Sequence, residues 1–296
     1  MNRPDWEDLP RTVRDAIQDQ TGPVVKAETA TGGIMPGVAA RLHTERGSVF
    51  LKAIEAASPG AVLYEREQWA SRALPATAAA PRLLWSDAVD GWLVMGFEYL
   101  EHAREADLSP GSPDLFQALA TVADLGRVLT PCPAGAPDIA ENIAPLQAKG
   151  RHLLDKNGLG GDYDLYEAAL ERFDPVELEG DTLLHYDLSP SNLLMTPGGV
   201  RAIDWSFAAR GAAWVDPVML APRLIQAGHT PAQAEDLLGR LPAWDTARPA
   251  AMTGLVALWT LFRLYKARFG PENGRAFRGR AAESGRAWLV SRLGVA

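Results

Sequence analysis

The chain has 296 residues, with 29 Lys and Arg against 37 Asp and Glu for a net charge of −8, and 47% of its residues are apolar. That apolar share builds a packed core and excludes wholesale disorder, and the acidic balance argues against general nucleic-acid binding, which draws on excess Lys and Arg. The single cysteine, Cys132, excludes an intrachain disulfide and a multi-cysteine zinc site.

Residues 5–20 place Trp6, Leu9, Val13 and Ile17 at helical spacing. Three β-like runs follow, 24–31, 38–44 and 48–54, the last two separated by Glu45-Arg46-Gly47, which suits a hairpin turn. Pro59 and Gly60 open a helix to about residue 74. Two more strands, 81–86 and 92–97, flank Asp90-Gly91, a strong hairpin signal. Beyond Leu100 the pattern turns helical, over 113–129, 142–156, 164–173, 215–227, 231–241, 247–269 and a final stretch to 293. Two β-like pieces interrupt it, 182–186 and 193–204, the second bent at Pro197-Gly198-Gly199. The expectation is an α+β architecture, an antiparallel sheet with one helix over 1–99 and a helical region over 100–296. Residues 1–14 lack the apolar core of a signal peptide, and the longest apolar stretch, 255–262, falls short of the roughly 18 residues of a membrane span. A cytoplasmic protein without membrane contact, as a monomer or homodimer, is expected.

The chain lacks a Walker phosphate loop, the dinucleotide-binding glycine fingerprint, a nucleophile elbow and a zincin helix motif. It does contain His185-Tyr186-Asp187-Leu188-Ser189-Pro190-Ser191-Asn192, and then Ala202-Ile203-Asp204-Trp205. An acid and an amide leave one short strand on a tight loop, and a second acid follows 12 residues after the amide. Such oxygen donors suit a hydroxyl proton and Mg²⁺.

These motifs resemble the protein-kinase-like superfamily, and most closely the aminoglycoside phosphotransferase/choline kinase family. The resemblance implies a bilobal kinase-like fold and ATP/Mg²⁺-dependent transfer of the γ-phosphate to a small-molecule hydroxyl. It implies Asp187 as catalytic base, Asn192 and Asp204 as metal ligands, and His185 as a structural anchor. Tyr186 departs from a glycine common in the family, and Trp205 from the phenylalanine of protein kinases. Lys52 lies within the apolar run Phe50-Leu51-Lys52-Ala53-Ile54, a costly place for an ammonium without an anion; by resemblance it contacts the α- and β-phosphates. On the next helix Leu63, Glu67, Ala70 and Leu74 share one face, which makes Glu67 the inward acid, whereas Ala61, Glu65, Gln68 and Arg72 form the polar face. Gly32 and Gly33, in the Gly-rich stretch 31–37, are candidates to cover phosphate, and the linker near Glu98 and Leu100 corresponds to the adenine-binding segment. For each of these the plain alternative is a snorkelling lysine, a surface ion pair, a Gly-rich turn or a simple connecting strand.

A protein acceptor is disfavoured, because Asp204 is followed within 12 residues by Trp214-Val215-Asp216-Pro217, with no long activation segment and no Ala-Pro-Glu motif. Residues 155–181 carry nine acids and two bases. This is either a field that attracts a cationic aminoglycoside or another amine-bearing antibiotic, or a solvated acidic helix pair. Between Leu255 and Ala296 eight basic residues face two acidic ones, as a helix face complementing an acidic body or, the lesser reading, as an anion or partner site. Trp214, Trp244 and Trp259 belong to an acceptor pocket or to the core. A choline, sugar or amino-alcohol kinase, and a catalytically silent nucleotide-binding regulator, are the other readings.

Overall fold

The computed structural model describes residues 3–31, 35–156 and 158–294. These form two compact units. One contains residues up to 103 together with 201–207, and the other contains 104–200 and 208 onward.

The first unit opens with a single 3₁₀ turn, Trp6–Asp8, and helix α1, Arg11–Thr21. The expected single helix is interrupted at Pro10, yet Trp6, Leu9, Val13 and Ile17 are all buried. Strands β1 (Val24–Thr29), β2 (Val38–Thr44), β3 (Gly47–Glu55), β4 (Leu83–Val89) and β5 (Trp92–Glu98) form an antiparallel sheet in the order β1-β2-β3-β5-β4. Asp90 (φ 49°) and Gly91 (φ 77°) both adopt the left-handed conformation that a tight β4–β5 hairpin requires. Helix α2, Ala61–Ala73, crosses between β3 and β4.

Strand alternation sorts this core into two layers. Leu51 and Ala53 of β3 pack with the α1 residues Val13 and Ile17, whereas Ile54, one step out of phase, packs with Ala61 and Tyr64 of α2. Lys52 shares the parity of Phe50 and Ile54, so it projects on the α2 side. On α2 the buried residues are Ala61, Tyr64, Glu67 and Ala70. Ala61 therefore belongs to the inward stripe and not to the polar face, and Glu67 is inward as expected.

The second unit holds β6 (Arg104–Glu105), α3 (Asp114–Val128), α4 (Ile139–Asp155), α5 (Tyr163–Leu170), β7 (Thr182–Leu184), β8 (Leu193–Thr196), β9 (Gly199–Ala202, whose last two residues count with the first unit), β10 (Ala209–Gly211), α6 (Val215–Gln226), α7 (Pro231–Leu238), α8 (Pro249–Phe269) and α9 (Arg275–Leu293). Strands β7 and β10 pair antiparallel, and β8 lies between β6 and β9. Helix α8 is the central element. Every residue from Ala251 to Leu261 is buried, the all-round apolar pattern of a core helix. It packs against α4, α5, α6 and α9. Gly285 of α9 meets Thr260 of α8 so closely that a Cβ would lie 2.0 Å from the Thr260 hydroxyl. Gly285→Ala is expected to cost about 1–3 kcal/mol by overpacking this crossing, read as a lower denaturant midpoint with an unchanged m-value. No helix among the described residues is long and apolar enough to cross a membrane.

Candidate functional site

In the first unit, Lys52 Nζ donates to both carboxylate oxygens of Glu67 at 2.7 Å and to Asp204 Oδ1 at 3.1 Å. Three of the residues singled out in the sequence therefore meet, because strand parity turns Lys52 toward α2 and the 201–207 segment brings Asp204 to it. The Lys52 and Glu67 side chains are only 16% and 4% exposed, whereas Asp204 is 41% exposed. Burial works against the Lys52 ammonium, but the Glu67 and Asp204 carboxylates outweigh it and hold its pKa above the ordinary value. Burial pushes Glu67 up to about 7, with the Asp204 charge adding to it and Lys52 opposing. Asp204 itself sits at φ 64°, a left-handed conformation that is costly for a residue with a side chain and is characteristic of functional loops.

At the end of this unit, Glu98 pairs with Arg82 at 3.2 Å and donates its backbone N–H to the Arg82 carbonyl. The Leu100 carbonyl accepts from the Ala103 N–H. Gly32 and Gly33 lie outside the described residues.

In the second unit the loop after β7 is held from beneath. Asp216, on the first turn of α6, accepts the backbone N–H groups of His185 at 2.8 Å and Tyr186 at 2.7 Å, one on each carboxylate oxygen. His185 is fully buried, and its Nδ1 accepts from the Asp187 N–H at 3.3 Å, which fits an anchoring role. Tyr186 has φ 69°. This is the left-handed conformation for which glycine is favoured, so the bend persists here with a buried phenol in place of the glycine common in the family. Asn192 Nδ2 donates to the Asp187 carbonyl at 2.8 Å, which commits the amide nitrogen to the loop and reserves Oδ1 for another partner. The Asn192 amide oxygen in the second unit, and separately the Asp204 carboxylate in the first, are each a hard donor of the kind Mg²⁺ takes alongside phosphate and water. Among the described residues no group of three or more His, Cys, Asp or Glu side chains forms a cation site of its own. Taken one by one, these oxygens are of a kind that suits a magnesium ion also bound by phosphate.

Sequence reasoning missed three residues here. Asp216 was noted only as part of a turn. Its removal in Asp216→Asn leaves two N–H donors facing an amide with a single acceptor oxygen. The expected cost is about 1–3 kcal/mol of stability together with a kcat lowered at least about tenfold, and a wild-type kcat would rule out this support of the loop. The other two are arginines. Arg223 of α6 reaches Asp187 Oδ1 at 3.1 Å, and Arg263 of α8 approaches the same oxygen at 3.7 Å. Both guanidiniums lie over the Trp259 ring, 5.0 and 4.9 Å from its centre. A cation embedded in an apolar helical run is the same signal that marked Lys52, and it was present at both positions.

Three of the nine acids of the stretch 155–181 are in ion pairs with arginines. Asp162 binds Arg286 in two hydrogen bonds, Glu177 meets Arg248, and Asp181 meets Arg210. Trp214, Trp244 and Trp259 are buried.

A sequence profile of the phosphotransferase enzyme family matches residues 37–250. Among solved structures, choline kinase LicA from Streptococcus pneumoniae is similar at 18% identity with a TM-score of 0.65, over 93% of this chain and 97% of that one. A thermostable mutant of aminoglycoside phosphotransferase APH(4)-Ia, in ternary complex with ADP and hygromycin B, is similar at 16% identity with a TM-score of 0.57, over 93% of this chain and 98% of that one. Spectinomycin phosphotransferase APH(9)-Ia, in complex with ADP and spectinomycin, shows 11% identity with a TM-score of 0.59 over 97% and 98% of the two chains. At such identities the likeness is one of fold, and it is the α+β, kinase-like fold expected from the motifs. A comparison with curated protein sequences found no match.

Proposed function

The chain belongs to the phosphotransferase enzyme family and is a small-molecule kinase, and we propose that it transfers the γ-phosphate of ATP, with Mg²⁺, to a hydroxyl of its acceptor. The observation that carries this reading is the Lys52 ammonium held by both Glu67 oxygens and by Asp204. Holding an ammonium this far out of water is costly in a plain structural strand, and a cation fixed by two acids is suited to charge stabilisation on a nucleotide phosphate.

In this reading Lys52 neutralises the α- and β-phosphates and Glu67 fixes its position. Asp187 orients the acceptor hydroxyl and takes its proton; both arginines approach its Oδ1, which leaves Oδ2 for that task. Asn192 and Asp204 hold Mg²⁺, which when bound neutralises charge on the phosphate oxygens. The backbone near Glu98 and Leu100 receives the adenine. Little covalent work falls to the protein, so rate comes from positioning.

The acceptor is a small hydroxylated molecule. An aminoglycoside acceptor drew its support from the acidity of 155–181, and the Arg286, Arg248 and Arg210 pairs take up three of its nine acids. ADP release with Mg-ATP, screened over aminoglycosides, nucleoside antibiotics, choline, sugars and hydroxy acids, tests the reading. Acceptor-dependent release is expected. ATP binding without release on any acceptor would favour the silent regulator.

A further inference from the structure

The surroundings of Asp187 carry more positive charge than the carboxylate can neutralise. Two guanidiniums, Arg223 and Arg263, converge on one oxygen. Among the described residues neither has another carboxylate within ion-pair distance. Both are largely withdrawn from water, with side chains 5% and 17% exposed. Burial, then the charge of Arg223, pushes Arg263 down to about 10. Arg278, from α9, also bears on Arg263 as a like charge.

Moreover, hydrogen-bond donors in this cluster are left over. Arg263 Nε, one Arg278 terminal nitrogen and the Tyr186 hydroxyl are all buried with no hydrogen-bond partner among the described residues. Burial raises the Tyr186 phenol above its ordinary pKa, so it remains a donor at any working pH. Buried donors of this kind are costly unless something accepts from them. Guanidiniums are the groups that recognise carboxylate and phosphate oxygens in a fork.

We propose that the acceptor carries an acid group, a carboxylate or a phosphate, beside the hydroxyl it presents to Asp187, and that Arg263 with Tyr186 binds that group. Asp187 and the acid then share the charge of the two arginines, and the acceptor is held with its hydroxyl at the base. This inference rests on the reading of Asp187 as the residue that meets the acceptor. It excludes a polycationic acceptor, which the same arginines would repel.

The test uses the full chain and matched pairs that differ by the acid alone: glycerate and glycerol, gluconate and sorbitol, glucose 6-phosphate and glucose. Binding is measured by calorimetry, and turnover by ADP release with Mg-ATP. In at least one pair the acid member is expected to bind about 10–100-fold more tightly, the worth of a charge-assisted contact, and whether it is a carboxylate or a phosphate pair identifies the acid. Arg263→Gln is expected to abolish the preference and Arg263→Lys to retain part of it. Tyr186→Phe keeps the buried ring, and so the fold, and is expected to weaken only the acid member. Equal binding within every pair, a preference indifferent to all three variants, or tighter binding of kanamycin would overturn the proposal. An Arg263-dependent acid preference without ADP release on any acceptor would uphold the anion site and sink the kinase chemistry instead. Turnover confined to neutral or cationic acceptors would do the reverse.

Discussion

An Asp187→Asn variant is expected to bind ATP with near wild-type affinity and to lose about 10²–10⁴-fold in kcat, the usual worth of a general base. The amide keeps the shape of the side chain and still offers an oxygen to Arg223, but it cannot take a proton from a hydroxyl. The change also removes a carboxylate paired with two arginines. Breaking a buried pair costs about 3–5 kcal/mol, and since Asp187 is 33% exposed the expected loss is smaller, about 1–2 kcal/mol. Stability and turnover therefore have to be read separately. A thermal midpoint measured with and without ATP reports folding and nucleotide binding, and single-turnover rates on folded protein report chemistry. A variant that retained a kcat within a few-fold of wild type would remove Asp187 from the role of base, whatever its stability.

The parts of the site that depend on local periodicity were legible in the sequence. Alternation along β3 puts Lys52 on the face of Phe50 and Ile54, and the helical repeat of α2 puts Glu67 inward, so the meeting of the two follows from adding one period to another. The loop from His185 to Asn192 was legible for a similar reason, since its acid and amide are linked by a tight turn and nothing distant is needed to relate them. Asp216 was not legible as a site residue, and although Arg223 and Arg263 each carried the signal of a cation in an apolar run, their convergence on Asp187 was not. They come from helices 29 or more positions away from Asp187 in the chain, and their approach is set by how α6 and α8 pack. Very short strands were hidden as well. Strands β6 and β10, with two and three residues, exist only through their pairing with β8 and β7, and no alternation can be read over so few positions. At Pro10 the periodicity was right and the element was wrong, because a 3₁₀ turn followed by a helix kept the same four side chains on one face.

A Lys52→Met variant is expected to lose both activity and stability, and the pH dependence separates the two losses. The kcat/KM for ATP should fall by about 10²-fold or more, because a preorganised charge on the phosphates is removed. Stability should fall by about 3–5 kcal/mol at about pH 8, where Glu67 would be left as a buried carboxylate without its cation. Glu67 is already pushed up to about 7 by burial, against the pull of Lys52, and without that pull its folded pKa rises further. An acid whose folded pKa exceeds its ordinary value of 4.5 holds a proton in the native state at a pH where the unfolded chain has lost it. Stability then falls as pH rises from about 4.5 through the folded pKa. The deficit of the variant should accordingly be small near pH 5 and full near pH 8. The double variant Lys52→Met/Glu67→Gln removes the buried charge, and it should regain most of the stability at pH 8 while remaining as inactive as the single variant. Urea unfolding at the two pH values and initial rates across ATP concentration measure both quantities. A single variant as stable as wild type at pH 8 would show that Glu67 is not confined as its burial implies, and a double variant with wild-type kcat/KM for ATP would remove Lys52 from the nucleotide site altogether.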